Sequence, residues 1–126
     1  MSDALDNQRW SSALIEALAL GGVREAVVSP GSRNTPLVLA WAAQEAVRTH
    51  VVLDERAAAF FAVGLARASG RAVALVCTSG SAMAHYLPAV IEAYRTRVPL
   101  LLMTADRPPE LQGVGAPQTI DQVGLF

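Results

Sequence analysis

Two short runs of apolar residues constrain the fold of this chain more than any other feature. They cover residues 72–77 and 98–104, and each has the length of a strand rather than a helix. A strand that is apolar throughout, instead of alternating with polar residues, is covered on both faces of its sheet. Parallel sheets have this property because their crossover helices lie on both faces. The two runs therefore predict a parallel sheet with helices on each side.

Helical and strand-like segments alternate along the rest of the chain. Further strands are predicted at residues 24–29 and 50–53, and helices at residues 6–20, 35–46, 55–69 and 82–95. Gly21-Gly22 and Gly70 supply the expected helix stops. We predict an α/β fold with three layers, α/β/α, around a central parallel sheet. The length of 126 residues suits a single domain.

The composition excludes several classes of function. All 10 basic residues are Arg, balanced by 11 acidic ones, so no surface for nucleic acid or membrane is indicated. Cys77 is the only cysteine, which excludes a disulfide framework and is compatible with a cytoplasmic location. His50 and His85 are isolated and are predicted to be packed or surface histidines. We expect a small-molecule ligand, and neither a nucleic acid nor a membrane partner.

A carboxylate at the start of the third helix stands out. Asp54 is a suitable N-cap, which places Glu55 in the first helical turn, directly after a short apolar segment. Residues 57–66 are apolar on every side, which predicts a helix buried on every side. A charge at the end of such a helix is costly unless it serves a function. The structural alternative, equally open from this stretch, is that Glu55 caps the helix and pairs with Arg56 or another arginine.

Polar or glycine-rich loops follow all four predicted strands. They are Ser29–Arg33, Asp54–Arg56, Thr78–Ser81 and Asp106–Arg107. In an open α/β sheet, ligands bind beyond the carboxyl ends of the strands, so these loops predict a ligand site at one edge. The loop at residues 78–81 matches neither a dinucleotide fingerprint nor a phosphate-binding P-loop, and a simple cap with a tight turn is its alternative.

Two of these loops favour anions. Ser32 and Arg33 lie just before a helix N-terminus, where free amides and the helix dipole attract negative charge. Arg107 adds a guanidinium group, which suits carboxylate or phosphate recognition. The alternative for Arg33 is a salt bridge to Asp54 or Asp106.

Four motifs in series resemble a known family. They are Ser29-Pro30-Gly31-Ser32-Arg33-Asn34-Thr35-Pro36, Leu53-Asp54-Glu55-Arg56, Thr78-Ser79-Gly80-Ser81-Ala82 and Thr104-Ala105-Asp106-Arg107-Pro108-Pro109-Glu110-Leu111. Together they resemble the N-terminal, pyrimidine-binding (PYR) domain of thiamine-diphosphate-dependent enzymes. Within these enzymes they resemble the MenD family, the 2-succinyl-5-enolpyruvyl-6-hydroxy-3-cyclohexene-1-carboxylate synthases. The resemblance covers nearly the whole chain and implies that residues 1–126 are one domain of a longer enzyme.

The resemblance also implies roles for individual residues. Glu55 matches the catalytic glutamate that hydrogen-bonds N1′ of the aminopyrimidine ring of thiamine diphosphate. The cofactor-binding residues beside that ring are Thr78, Ser79 and Gly80. The residues that match positions holding substrate carboxylates and hydroxyls are Ser32, Arg33, Arg107 and Gln118. Pro117 and His85 depart from the family pattern, which usually has Asn at both positions.

The implied activity is that of a transferase in menaquinone biosynthesis. It decarboxylates 2-oxoglutarate and adds the succinyl-semialdehyde unit to isochorismate. The cofactor's diphosphate and a Mg²⁺ or Mn²⁺ ion would bind mainly to a further domain, so we assign no metal ligand here and expect the 126-residue chain alone to be inactive. We expect a homodimer or homotetramer with the apolar third helix at the interface. The alternatives are the PYR domain of an acetohydroxyacid-synthase-like enzyme and a non-catalytic binding module of the same fold.

Overall fold

Helices and strands alternate along the chain. The computed structural model describes residues 2–126. The α-helices are α1 (Ser2–Leu20), α2 (Thr35–Ala43), α3 (Glu55–Ser69) and α4 (Leu87–Thr96). The strands are β1 (Glu25–Val28), β2 (Arg48–Val51), β3 (Val73–Cys77) and β4 (Leu100–Thr104), and short 3₁₀ helices cover Gly80–Tyr86 and Pro109–Leu111. No helix within residues 2–126 is long and apolar enough to cross a lipid bilayer.

The four strands form one parallel sheet in the order β2-β1-β3-β4. Val27 of β1 pairs with His50 on one side and with Leu75 on the other, and Leu75 in turn pairs with Leu102 of β4. Every residue of the central strand β3 is buried. The predicted parallel sheet is therefore confirmed, and the unbroken apolar run of β3 follows from its burial on both faces.

Helices cover both faces of the sheet, which confirms the three predicted layers. On one face α1 and α2 pack around the fully buried Ile15 and Trp41. On the other face α3, the first 3₁₀ helix and α4 pack around Tyr86. Ala58, Ala59 and Ala62 are fully buried on α3, and their small size lets this helix lie close to the sheet.

The third helix begins and ends as predicted, but it is not buried on every side. The Asp54 side chain accepts a hydrogen bond from the Ala57 amide at 2.8 Å, and Gly70 ends the helix in the left-handed conformation. Phe60 and Phe61, however, are 46% and 43% exposed. The prediction of complete burial was wrong for this chain, because α3 lies in an outer layer and only its sheet-facing side is covered.

Several predicted boundaries also differ from the structure. β2 covers Arg48–Val51 rather than residues 50–53, because its register is set by pairing with the four residues of β1. α1 begins at Ser2, and α2 ends at Ala43 instead of continuing to residue 46. The helix predicted at residues 82–95 divides into a 3₁₀ helix and α4. Pro88 lies in the first turn of α4, where its missing N–H is tolerated, whereas within one continuous helix it would break the hydrogen bonding.

Candidate functional site

The candidate site is the edge of the sheet at which all four strands end. Direct hydrogen bonds hold these ends together. Ser29 donates from its backbone N to Val76 O at 2.9 Å and from its Oγ to Val52 O at 2.8 Å. The Ala105 amide donates to Cys77 O at 3.1 Å. Because the strands are parallel, the polar loops that follow them meet at this edge, as the sequence predicted.

A buried asparagine shapes the loop after β1. Asn34 is fully buried, its Oδ1 accepts from the Gly31 amide at 2.8 Å, and its Nδ2 donates to Ser29 O at 2.9 Å. Its side chain therefore closes the loop and does not cap α2, although Asn34 occupies the N-cap position of that helix. The closed loop leaves Ser32 and Arg33 exposed at its tip. Sequence analysis did not identify Asn34 as a site residue.

The loops after β1 and β3 touch at a glycine. A Cβ atom at Gly31 would lie 2.6 Å from the Cβ of Thr78 and 2.8 Å from its Oγ1. Such distances are far inside van der Waals contact, so only glycine fits here. The Thr78 Oγ1 is itself buried and has no hydrogen-bond partner among residues 2–126. The predicted cofactor-binding loop is thus packed directly against the loop that carries Ser32.

The loop after β3 is in contact with the C-terminal part of the chain. The Ser79 Oγ donates to Gln118 O at 3.1 Å, and the Gln118 Nε2 donates to Ser79 O at 3.2 Å. Gly80 has a positive φ of 81°, and a Cβ there would lie 2.9 Å from Gln118. The structure therefore brings Gln118 to the loop that contains Thr78, Ser79 and Gly80, although Gln118 is distant from this loop in the sequence.

Glu55 lies in the first turn of α3 with its side chain half-buried. The ion pairs found among residues 2–126 are Arg9–Asp6 and His50–Glu25, so the alternative in which Glu55 pairs with an arginine is not observed. Because Asp54 is the cap of the helix, the Glu55 carboxylate is left without that role. It follows β2 and lies in the first turn of α3, where free backbone amides favour a negative charge.

Two buried titratable groups, the Cys77 thiol and the Tyr86 hydroxyl, lie close enough to Glu55 to be affected by its charge. Burial raises the pKa of Cys77 to about 11, and the Glu55 carboxylate adds to the rise. Burial also raises the pKa of Tyr86, with Cys77 and Glu55 as smaller causes. Both groups therefore stay neutral near neutral pH, and Cys77 is a free thiol buried in the core.

The two predicted substrate-binding arginines line separate grooves. Arg33 borders a groove of about 540 Å³ between α1 and β4, together with Trp10 and Asp106. Arg107 borders a second groove of about 730 Å³ along the C-terminal loop, and Asp106 lines this one too. No ion pair involves Arg33 within the described part of the chain, so its predicted alternative partners, Asp54 and Asp106, are not bound to it.

The Arg107 guanidinium is only partly satisfied. Its Nη2 donates to Pro117 O at 3.2 Å, while its Nε is buried without a hydrogen-bond partner in residues 2–126. The Arg107 side chain therefore lies beside the residue that precedes Gln118. No group of three or more His, Cys, Asp or Glu side chains that could hold a metal ion occurs among these residues.

Comparison with known proteins gives one family and many similar sequences. Residues 8–125 match the family model described as thiamine pyrophosphate enzyme, N-terminal TPP binding domain. A protein from Geobacillus kaustophilus is 60% identical over 126 residues, covering 100% of this chain and 22% of its own length. One from Myxococcus xanthus is 58% identical over 125 residues, with coverages of 99% and 21%. Both are named 2-succinyl-5-enolpyruvyl-6-hydroxy-3-cyclohexene-1-carboxylate synthase, and the chain spans about a fifth of their length.

Proposed function

Since the chain belongs to the thiamine pyrophosphate enzymes as their N-terminal TPP binding domain, we propose that it is the pyrimidine-binding part of a 2-succinyl-5-enolpyruvyl-6-hydroxy-3-cyclohexene-1-carboxylate synthase. The observation that carries this proposal is the 60% identity to a synthase of that name along all of the chain. The whole enzyme would decarboxylate 2-oxoglutarate and transfer the resulting four-carbon unit to isochorismate, in the biosynthesis of menaquinone. Residues 1–126 would then be one domain of a longer protein.

The described residues fit the pyrimidine end of thiamine diphosphate. Glu55 offers a half-buried carboxylate that is not engaged in an ion pair within residues 2–126. Beside the loop after β1, Thr78 offers a buried Oγ1 that lacks a hydrogen-bond partner there. Gly31 and Gly80 let the loop after β3 pack closely against the loop after β1 and against Gln118, which holds Thr78 and Ser79 in place. Thr78, Ser79 and Gly80 would lie beside the ring, and Glu55 would meet its N1′ atom.

When bound, the cofactor supplies a thiazolium carbon that attacks a 2-oxo acid and accepts the electron pair left by loss of carbon dioxide. This chain holds the aminopyrimidine ring and controls the position of one proton on it. Glu55 hydrogen-bonds the ring nitrogen and shares a proton with it, which is general acid–base work. The Asp54 cap fixes the first turn of α3 and so keeps the Glu55 backbone in place. The diphosphate and a Mg²⁺ or Mn²⁺ ion would be held by the rest of the enzyme.

The substrate-binding residues of the proposal are Ser32, Arg33, Arg107 and Gln118. Two guanidinium groups suit substrates that carry several carboxylates, as 2-oxoglutarate and isochorismate do. The exposed tip at Ser32–Arg33 offers donors that are available to such ligands. An enzyme of the acetohydroxyacid-synthase type, which acts on pyruvate, would have less use for two arginines. This difference favours the succinyl-transferring synthase.

A second copy of the chain would cover the outer apolar surface of α3. Phe60 and Phe61 are 46% and 43% exposed there, and Leu53 is 77% exposed just before the helix. On α4 the neighbouring Ile91 and Tyr94 are 55% and 80% exposed. Fully burying a wholly exposed apolar side chain is favourable by about 1.5–3 kcal/mol, so each of these partly exposed side chains would contribute a fraction of that. We therefore propose a homodimer or homotetramer. We also propose a cytoplasmic location, because the only cysteine, Cys77, is an unpaired buried thiol.

The test uses the full-length protein that carries this chain. It is incubated with thiamine diphosphate, Mg²⁺, 2-oxoglutarate and isochorismate, and the product is followed by mass spectrometry. We expect the succinylated cyclohexene product, no product when any component is omitted, and none from the 126-residue chain alone. Turnover of pyruvate instead of 2-oxoglutarate would favour the acetohydroxyacid-synthase-like alternative. A protein that binds no thiamine diphosphate would favour the non-catalytic module.

A further inference from the structure

A segment near the C-terminus, residues 117–122, lies across the loop after β3. Five hydrogen bonds attach this segment, which we call the strap, to the loops after β3 and β4, and one of them is the Arg107–Pro117 bond described above. Two join Ser79 to Gln118, as described above. The other two come from the side chain of Gln122. The strap thus closes one side of the proposed cofactor and substrate site.

Gln122 is the one strap residue whose side chain is buried, with 8% of its surface exposed. Its Oε1 accepts from the Gly80 amide at 2.8 Å, and its Nε2 donates to Ala105 O at 3.1 Å. The amide group therefore links the loop after β3 to the end of β4. Without it the buried Gly80 N–H would lose its acceptor, and an unsatisfied buried donor costs about 1–3 kcal/mol.

Gln118 depends on this attachment. It has a φ of 58°, in the left-handed region that residues other than glycine rarely adopt. A strained conformation of this kind costs about 1–3 kcal/mol and persists only where neighbouring contacts enforce it. Gly80 supplies one such contact, because its missing Cβ makes room for Gln118. Gln122 fixes Gly80, and so it fixes the surface against which Gln118 is held.

From this arrangement we infer that Gln122 is a positioning residue of the site, acting through Gly80 and Gln118. This inference rests on the proposed function, in which Gln118 contacts the substrate. Gln122 itself touches neither substrate nor cofactor in this scheme. Its two hydrogen bonds keep the strap closed, so that the exposed side chain of Gln118 is presented in one place to the ligand.

The first experiment measures the strap directly and needs no activity. Hydrogen–deuterium exchange of the full-length protein is compared for wild type, Gln122→Met, and the matched control Gln44→Met at the opposite edge of the sheet. We expect peptides covering residues 79–82 and 117–121 to exchange about tenfold faster or more in Gln122→Met. A tenfold change corresponds to a loss of about 1.4 kcal/mol in the free energy of local opening. The control should leave them unchanged. Equal exchange in wild type and Gln122→Met would overturn the inference.

The second experiment is a double-mutant cycle on the substrate KM. Gln122→Met and Gln118→Ala should each raise the KM for a substrate about tenfold. Because Gln122 acts through Gln118, the double variant should resemble Gln118→Ala alone. Additive effects would indicate a merely structural role and would overturn the inference. If wild-type protein shows no synthase activity at all, the proposed function fails, while the exchange experiment still decides whether Gln122 holds the strap.

A third variant, Gln122→Glu, adds a pH signature. When ionised, the new carboxylate can accept from Gly80 but cannot donate to Ala105 O, and when protonated it can do both, as glutamine does. The ratio of the variant's kcat/KM to that of wild type should therefore rise as the pH is lowered. A ratio that is flat with pH would contradict the two-bond role of Gln122.

Discussion

Replacement of Gly31 by alanine tests the contact on which the geometry of the site depends. The new Cβ would lie 2.6 Å from the Thr78 Cβ, with two further side-chain atoms of Thr78 at 2.8 Å. Thr78 follows β3 directly and is buried, so it has little room to move. Overpacking of this kind costs about 1–3 kcal/mol. The loss of unfolded-state entropy offsets about 0.4–1 kcal/mol of that cost, and the middle of the two ranges leaves a net destabilisation of about 1.3 kcal/mol.

Gly64→Ala is the matched control, because it makes the same chemical change within α3, where nothing lies within 4 Å of the new Cβ. Alanine has the higher helix propensity, so this control should be stabilised by about 0.5–1 kcal/mol. Urea unfolding of the 126-residue chain measures both variants. Adding Thr78→Gly to Gly31→Ala should reduce the cost of the alanine, as expected for coupled neighbours. If Gly31→Ala is as stable as wild type, the loops after β1 and β3 do not touch as described.

Three further predictions follow from the buried thiol, the helix cap and the apolar surface of α3. The folded Cys77 keeps its proton to a pKa of about 11, above its ordinary value of 9.0, so the unfolded state ionises first. The free energy of unfolding should therefore fall by about 2–3 kcal/mol as pH rises from about 9 to about 11. The Cys77→Ala variant should lack this part of the pH dependence, which urea unfolding at several pH values measures. Asp54→Ala should cost about 1 kcal/mol in the same assay, because the Ala57 amide loses its cap, and an unchanged stability would contradict the cap. Phe61→Asp should shift the full-length protein toward monomers in analytical ultracentrifugation, since Phe61 is 43% exposed on the proposed interface, and an unchanged oligomer would place the interface elsewhere.

The layers of the fold were predictable because the apolar pattern of the strands reports burial directly. The run that became β3 is buried at every position, and this property alone required helices on both faces. The ends of α3 could be predicted equally well, because Asp54 and Gly70 act on their immediate neighbours. Strand boundaries that depend on pairing with a neighbouring strand could not be predicted. Val52 and Leu53 continue an apolar run, yet β2 stops at Val51, where its partner β1 ends.

The candidate site could be predicted only in part. The four loops were found because parallel strands end at one edge, and the resemblance singled out particular residues within them. Asn34 and Gln122 were missed, because what defines them is a hydrogen-bond partner and not a sequence pattern. The partner of Gln122 at Gly80 is 42 residues away, a distance over which no local rule operates. The resemblance placed α3 at a subunit interface, but the apolar pattern alone did not show which side of α3 this chain leaves exposed, since an apolar helix face looks the same whether this chain or another one covers it.

The central claim is that Glu55 meets a ring nitrogen of thiamine diphosphate, and one substitution tests it most directly. Glu55→Gln keeps the size of the side chain but removes its negative charge and its ability to take a proton. The turnover of 2-oxoglutarate and isochorismate by the full-length variant should fall about 10²–10⁴-fold, the usual contribution of a general acid or base. The matched control Glu45→Gln, on the exposed turn before β2, should match wild type. Turnover of Glu55→Gln close to that of wild type would contradict the claim.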